Sequence, residues 1–250
     1  MEESESDVKK MVWGPWATAG FGVVVGIIFI LVGGITILLF SINDYVSDPQ
    51  QNLLQLFDKN SEEAFVLFIG FIACAIVCVG LIFLIIKLRK GSRIVEYLSL
   101  NPVTGRTLFR LFLLAAGMMM LSDSLSFFLG RPIVPQCQID DYVACVWPVV
   151  FFIPAVIAAP VIEEIFFRGF LFEGFRQFRI GSSGAIILLS LLWTIIHVQY
   201  DIYDLTDIFV SGVVYGIVRI KTGSLWSCVF MHSIDNLIAT IQTTIVVYYF

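Results

Sequence analysis

PVIEEIFFRGF, residues 160–170, sets Glu163, Glu164 and Arg168 among Pro, Val, Ile, Phe and Gly. The surrounding run, 148–175, adds only Glu173 as a further ionisable residue. If this run crosses a bilayer, its charges must be stabilised in hydrocarbon. An unpaired charge at a helix centre costs about 2.5–3.5 kcal/mol on insertion scales, so three would cost on the order of 8–10 kcal/mol. Glu164 and Arg168 are i and i+4, share a helix face and can pair; read most simply, they are a structural staple. Glu163 points about 100° around the helix from Glu164 and lacks that partner. A lone buried carboxylate takes up a proton unless a cavity or partner stabilises its charge. Intramembrane ionisable residues are functional by default, which makes Glu163 the first candidate site residue.

The composition supports a membrane setting. Of 250 residues, 58% are hydrophobic and 14% charged, with a mean hydropathy of +0.92; soluble domains run nearer 45–50% apolar. The net charge of −5, without a basic block, implies no nucleic-acid partner. The opening MEESESDVKK is acidic and polar, with no basic n-region or small-residue cleavage site. It predicts no cleaved signal peptide, and the first apolar run is expected to be a retained span.

A bilayer-spanning helix needs about 20 apolar residues. Runs of that kind lie near 16–42, 64–87, 107–129, 148–175, 182–200, 205–220 and 224–248. The expected fold is an all-α, polytopic transmembrane helical bundle of seven spans, or eight if the long last run is split, with a polar intramembrane cavity. No internal repeat divides the chain, so 1–250 reads as a single membrane domain, with 1–15 a polar cytoplasmic segment. Lys and Arg fall in alternate loops: Lys9 and Lys10; Lys87 to Arg93 with Arg106 and Arg110; Arg176 and Arg179; Arg219 and Lys221. The positive-inside rule then puts the N-terminus in the cytoplasm and loop 130–147 outside. SRIVEYLSL, 92–100, is expected along the cytoplasmic interface, and Trp13, Trp16 and Trp147 at span ends. Cys74, Cys78 and Cys228 read as small apolar fillers. Cys137 and Cys145 flank a polar loop and can form a disulfide if it faces an oxidising compartment. No cysteine spacing suggests structural zinc.

The first two spans are nearly pure hydrocarbon. The strongly polar residues that stand out in the later ones are Asp123 in the third, Glu163, Glu164, Arg168 and Glu173 in the fourth, His197 in the fifth, and His232, Asp235 and Asn236 in the seventh. Both histidines of the chain are in this set. Trp193 and His197 are i and i+4, as are His232 and Asn236, so each pair is expected on one helix face. If the three helices pack together, the chemistry is coherent. A carboxylate beside a neutral imidazole holds and deprotonates water. A second His and an Asn amide donate to the oxyanion of a tetrahedral intermediate. The same Glu163, His197 and His232 could instead ligate zinc with a bound water, and the sequence leaves that alternative open. No Ser or Cys sits in a nucleophile arrangement; Ser190 and Cys228 read as packing residues.

At this point a resemblance appears. Glu163-Glu164-Ile-Phe-Phe-Arg168 resembles the EExxxR motif of the CPBP intramembrane endopeptidases, the type II CAAX prenyl endopeptidase and bacteriocin-processing (Abi-like) family. Trp193-Thr-Ile-Ile-His197 resembles the second motif, usually Phe-xxx-His, with Trp in place of Phe. His232-Ser-Ile-Asp-Asn236 resembles the third, His-xxx-Asn, with TGSLWSCVFMH, 222–232, as its lead-in. The three stand in the family's order within about 145–240, the expected catalytic core. The resemblance implies an intramembrane endopeptidase. Glu163 and His197 would position the hydrolytic water, and His232 and Asn236 would form the oxyanion site. Glu164 and Arg168 would shape the site and contact substrate or each other. It further implies a metal-independent glutamate mechanism without a cofactor, and a peptide or protein substrate that is lipid-modified or membrane-embedded in some members. The setting implied is the bacterial inner membrane. Two other readings are a non-catalytic scaffold of the same fold and a proton-coupled transporter; for the latter the paired discontinuous repeats are missing.

Depth raises one difficulty. Glu163 and His232 fall near mid-run and His197 near the outer end of its own, so convergence requires a shifted or tilted fifth helix. Pro148, Pro154 and Pro160 are expected to bend the fourth helix before Glu163, and Thr222 or Ser224 to cap the seventh.

Overall fold

The structure is a computed structural model that describes residues 12–145 and 152–250. Lys9, Lys10, Trp147, Pro148 and most of the polar 1–15 segment lie outside the described residues. Those described are helical, without strands. Ten helices follow: α1 (Pro15–Ser47), α2 (Leu53–Glu62), α3 (Ala64–Leu88), α4 (Ile94–Tyr97), α5 (Gly105–Phe128), α6 (Gln136–Ala144), α7 (153–175), α8 (Gly181–Ile195), α9 (Ile202–Thr222) and α10 (Leu225–Tyr249). By length and composition α1, α3 and α5 can each cross a membrane, and α8 is a shorter apolar helix.

α1 and α3 pack along each other. The buried thiols of Cys74 and Cys78 donate from α3 to the carbonyls of Phe29 and Val25 on α1 (3.2 and 3.8 Å), so these cysteines fill and lightly bond the seam as expected. Trp13 donates its indole N–H to Ile85 O (2.9 Å) under the Arg89 guanidinium, tying the start of α1 to the end of α3. Tyr97 and Leu98 are buried while Arg93, Val95 and Glu96 are exposed, so the 92–100 segment is anchored to the bundle by one side of α4.

α7 carries the opening motif and is irregular. Two π-helical stretches, Ile153–Ala158 and Ile165–Leu171, alternate with the α-helical turns Ala159–Glu164 and Phe172–Phe175. Part of the cause is visible in the sequence: Pro160 has no N–H to give a preceding carbonyl. π-bulges of this kind widen the helix locally and frequently mark functional sites.

Several expectations need correction. The 130–147 segment holds a helix, α6, between Cys137 and Cys145. Eight residues of helical rise separate them by roughly 12 Å, beyond disulfide reach, and both are free thiols. α8 ends at Ile195, so His197 lies in the following turn, its N–H on Thr194 O (3.0 Å). α10 is one unbroken helix. Ser224 stands at its N-cap, but its hydroxyl donates to Asn101 O (2.5 Å) and caps nothing. Gly223, at φ +63°, ends α9 in the left-handed conformation that glycine adopts without steric cost. Arg219, counted above as a loop charge, is buried within α9. Asp201, in contrast, caps α9 by accepting from Tyr203 and Asp204 N–H. Its hydrogen bond to Arg131 and the Asp204 N–H hold its carboxyl below the usual carboxylate range.

Gly174 sets how closely α7 approaches α1: a Cβ there would stand 2.1 Å from Thr18 Oγ1. Gly174→Ala is expected to destabilise the protein by about 1–3 kcal/mol through overpacking, read as a lower melting temperature in mild detergent. Gly20→Ala, where nothing lies within 4 Å, is expected to leave it unchanged or slightly raised.

Candidate active site

Adjacent residues on α7 send their carboxylates to different places, as the roughly 100° step requires. Glu164 is fully buried (0% exposed). Its Oε1 accepts from Arg168 Nη1 (3.0 Å) and is met by His232 Nδ1 from α10 (3.0 Å). The expected i, i+4 pair is therefore formed and extends to a third partner. Arg168 also donates Nη2 to Gly212 O on α9 (3.3 Å), and its guanidinium lies over the rings of Trp193 and Tyr215 (4.5 and 5.6 Å to centroid). Gly212 has room for hydrogen alone: a Cβ would lie 2.9 Å from Arg168 Nη2.

Glu163 is half-buried and faces a cavity of about 300 Å³. His197, His232 and Asn236 line the same cavity; Glu164 and Arg168 do not, and stand behind it. The four residues expected to converge thus share one space. The tilt inferred for the fifth helix is replaced by its early end, which carries His197 round in a turn. Glu163 and His197 make no direct bond. Glu163 Oε2 instead accepts the indole N–H of Trp193 (2.6 Å). His197 Nδ1 lies 2.7 Å from the Trp193 carbonyl. A carbonyl only accepts, so Nδ1 carries the proton and the Nε2 lone pair of a neutral His197 is free. The His232 ring stacks on Tyr215 (5.5 Å) and meets the edge of Trp193 (5.3 Å).

Asn236 is placed by the irregularity of α7. The Ala159 N–H reaches back five residues to Pro154 O, and Pro160 has no N–H. Ala155 O is left without its usual helical donors, and Asn236 Nδ2 supplies one (2.7 Å). One amide hydrogen and the carbonyl oxygen of Asn236 remain. The second π-helical stretch behaves alike: Phe172 N–H reaches Phe167 O, and the neighbouring carbonyl, Arg168 O, accepts from Arg219 Nε (3.2 Å).

The cavity lining includes five carboxylates, Asp123, Glu163, Asp204, Asp207 and Asp235, and no Lys or Arg among the described residues. Tyr215 donates to Asp235 Oδ2, and Gln242 donates to Asp123 Oδ2 (2.6 Å). Three features were missed from sequence. One is Trp193 as a polar partner. Another is Tyr215, which belongs to none of the motifs read from the sequence. The third is the pairing of the buried Glu173, noted above as ionisable but left without a partner, with Arg219 (3.1 Å) and Arg176 (2.6 Å).

Residues 145–238 match the family model described as type II CAAX prenyl endopeptidase Rce1-like. The matched segment spans all three motifs and the four cavity-lining residues expected in the site. No curated protein and no solved structure gives a match.

Removing one member of a buried ion pair leaves an uncompensated charge, at a cost of about 3–5 kcal/mol. Glu164→Ala is expected to lose that much, measured by denaturant unfolding in detergent. Glu164→Leu combined with Arg168→Leu is expected to lose less than the two single changes summed, because neither charge is then stranded.

Proposed function

We propose, on the premise that residues 145–238 are an Rce1-like segment of a protease family, that the chain is an intramembrane endopeptidase using Glu163, His197, His232 and Asn236. The observation that carries this reading is the shared cavity of these four side chains. Glu163 Oε1 has no bond among the described residues, and the His197 Nε2 lone pair is free. Together they accept hydrogen bonds from a water, and one of them takes a proton as the water oxygen attacks the peptide carbonyl carbon. As the C–O bond forms, the carbonyl electrons move to oxygen. His232 Nε2–H and the remaining Asn236 N–H donate to that oxyanion. The tetrahedral intermediate collapses, the C–N bond breaks, and the proton taken from water passes to the leaving nitrogen.

His232 donates from Nε2 only if a proton resides on the Glu164–His232 pair, because Nδ1 already faces Glu164 Oε1. An imidazolium beside a carboxylate meets this condition, as does a neutral Nε2–H tautomer accepting from a protonated Glu164. The donor role of His232 thus needs that added proton, while His197, held by a neutral carbonyl, keeps its Nε2 lone pair for the base role.

The reading is metal-independent. A zinc ion held by Glu163, His197 and His232 is the alternative that the chelation experiment below decides. We read α1, α3, α5, α7, α8, α9 and α10 as seven spans with the N-terminus cytoplasmic, in a bacterial inner membrane. Burial of Arg219 removes one charge from the positive-inside tally and leaves Lys221, exposed in the last turn of α9.

Glu163→Ala and His197→Ala are each expected to lower cleavage by at least about 100-fold, and His232→Ala by about 100–1000-fold, with melting temperatures near wild type for the first two. Comparing membrane peptides from cells carrying wild-type or Glu163→Ala protein supplies the substrate; undiminished cleavage by purified Glu163→Ala protein would overturn the assignment. Activity is expected to survive chelation in protein shown by elemental analysis to lack zinc. Loss on chelation with recovery on zinc addition would restore the metallohydrolase reading.

A further inference from the structure

Trp193 contacts Glu163, His197, His232 and Arg168. Its indole N–H donates to Glu163 Oε2 (2.6 Å) and its carbonyl accepts from His197 Nδ1 (2.7 Å). One face lies under the Arg168 guanidinium (4.5 Å), and the ring contacts His197 and His232 edge-on (5.2 and 5.3 Å). It is 4% exposed, so its packing allows the ring little freedom to turn. A carboxylate on a two-carbon stem is otherwise free to rotate, and Glu163 has no other hydrogen bond among the described residues.

We propose that Trp193 is a positioning residue: its indole N–H anchors one oxygen of Glu163 so that the other faces the cavity, while its carbonyl turns the His197 lone pair toward the same space. Both acceptors of the water's hydrogen bonds are then referenced to a single rigid residue. The role in turnover rests on the endopeptidase reading; the anchoring itself does not. The structure supplies the physical reason for Trp at this position: a phenyl ring can pack there but cannot donate. The indole is thus bonded to the acid that would otherwise swing away.

Trp193→Phe keeps a ring and the backbone carbonyl and removes the donor. The expected result is a fall in kcat of about 100-fold, the size of effect that a displacement near 1 Å produces, with KM changed less than about twofold. If Phe lowers the melting temperature, 3-benzothienylalanine at position 193, with sulfur replacing N–H in the same ring system, separates donation from packing and is expected to give the same kcat loss. Anchoring is read without turnover by ultraviolet resonance Raman. The wild-type minus Trp193→Phe difference isolates this indole, and its N–H marker is expected to report strong hydrogen bonding that weakens in the Glu163→Ala background. An unchanged marker in Glu163→Ala overturns the anchoring, and full kcat in the benzothienylalanine protein overturns the positioning role. Failure of the endopeptidase reading looks different: wild type then cleaves nothing, while the marker still reports the Trp193–Glu163 bond and supports the anchoring.

Discussion

A single oxygen, Glu164 Oε1, meets a guanidinium from its own helix and an imidazole from α10. The arrangement around it leaves few alternatives. Arg168, drawn to that oxygen, extends its other nitrogen to Gly212 on α9 and lies flat on Trp193 of α8. One carboxylate therefore correlates four helices. A polar contact of this kind is strong where water is absent, and the penalty for leaving any member unpaired rises for the same reason. Glu163 is freed to face the cavity because its neighbour takes the buried charge.

The irregular turns of α7 do comparable work. A regular α-helix engages its own carbonyls and leaves other elements at most a second lone pair on each. The two π-helical stretches release Ala155 O and Arg168 O, and each is taken by a side chain from the α9–α10 pair, Asn236 or Arg219. The widened turns are thus bonding points between α7 and the helices that bring His232. Glu173 and Arg219 close the same interface one turn further on, so two buried ion pairs, about ten residues apart along α7, hold its register against α9 and α10.

Much of this was legible in the residues. The apolar composition gave the all-helical class, the four-residue spacing gave the Glu164–Arg168 pair, and the angular step separated Glu163 from Glu164. The motif residues were identifiable before their shared cavity was known, since their meeting depends on how α7, α8 and α10 pack. Other features were hidden for specific reasons. Arg219 stands three residues from a Thr-Gly-Ser turn and reads as a loop charge until Glu173 is seen opposite it. QCQIDDYVAC carries no capping signal, so α6 and the separation it imposes on Cys137 and Cys145 were not apparent. The hydrogen bond of Trp193 depends on a close approach across two helices, which local spacing does not encode.

The two bonds made by Trp193 differ in kind. His197 is held by a main-chain carbonyl, which every amino acid offers, so the orientation of that imidazole is inherited with the backbone whatever side chain occupies position 193. Glu163 is held by the side chain and depends on the residue being tryptophan. Sequence drift at this one position can reach only half of the pair: the histidine's setting belongs to the fold, and the glutamate's belongs to the codon.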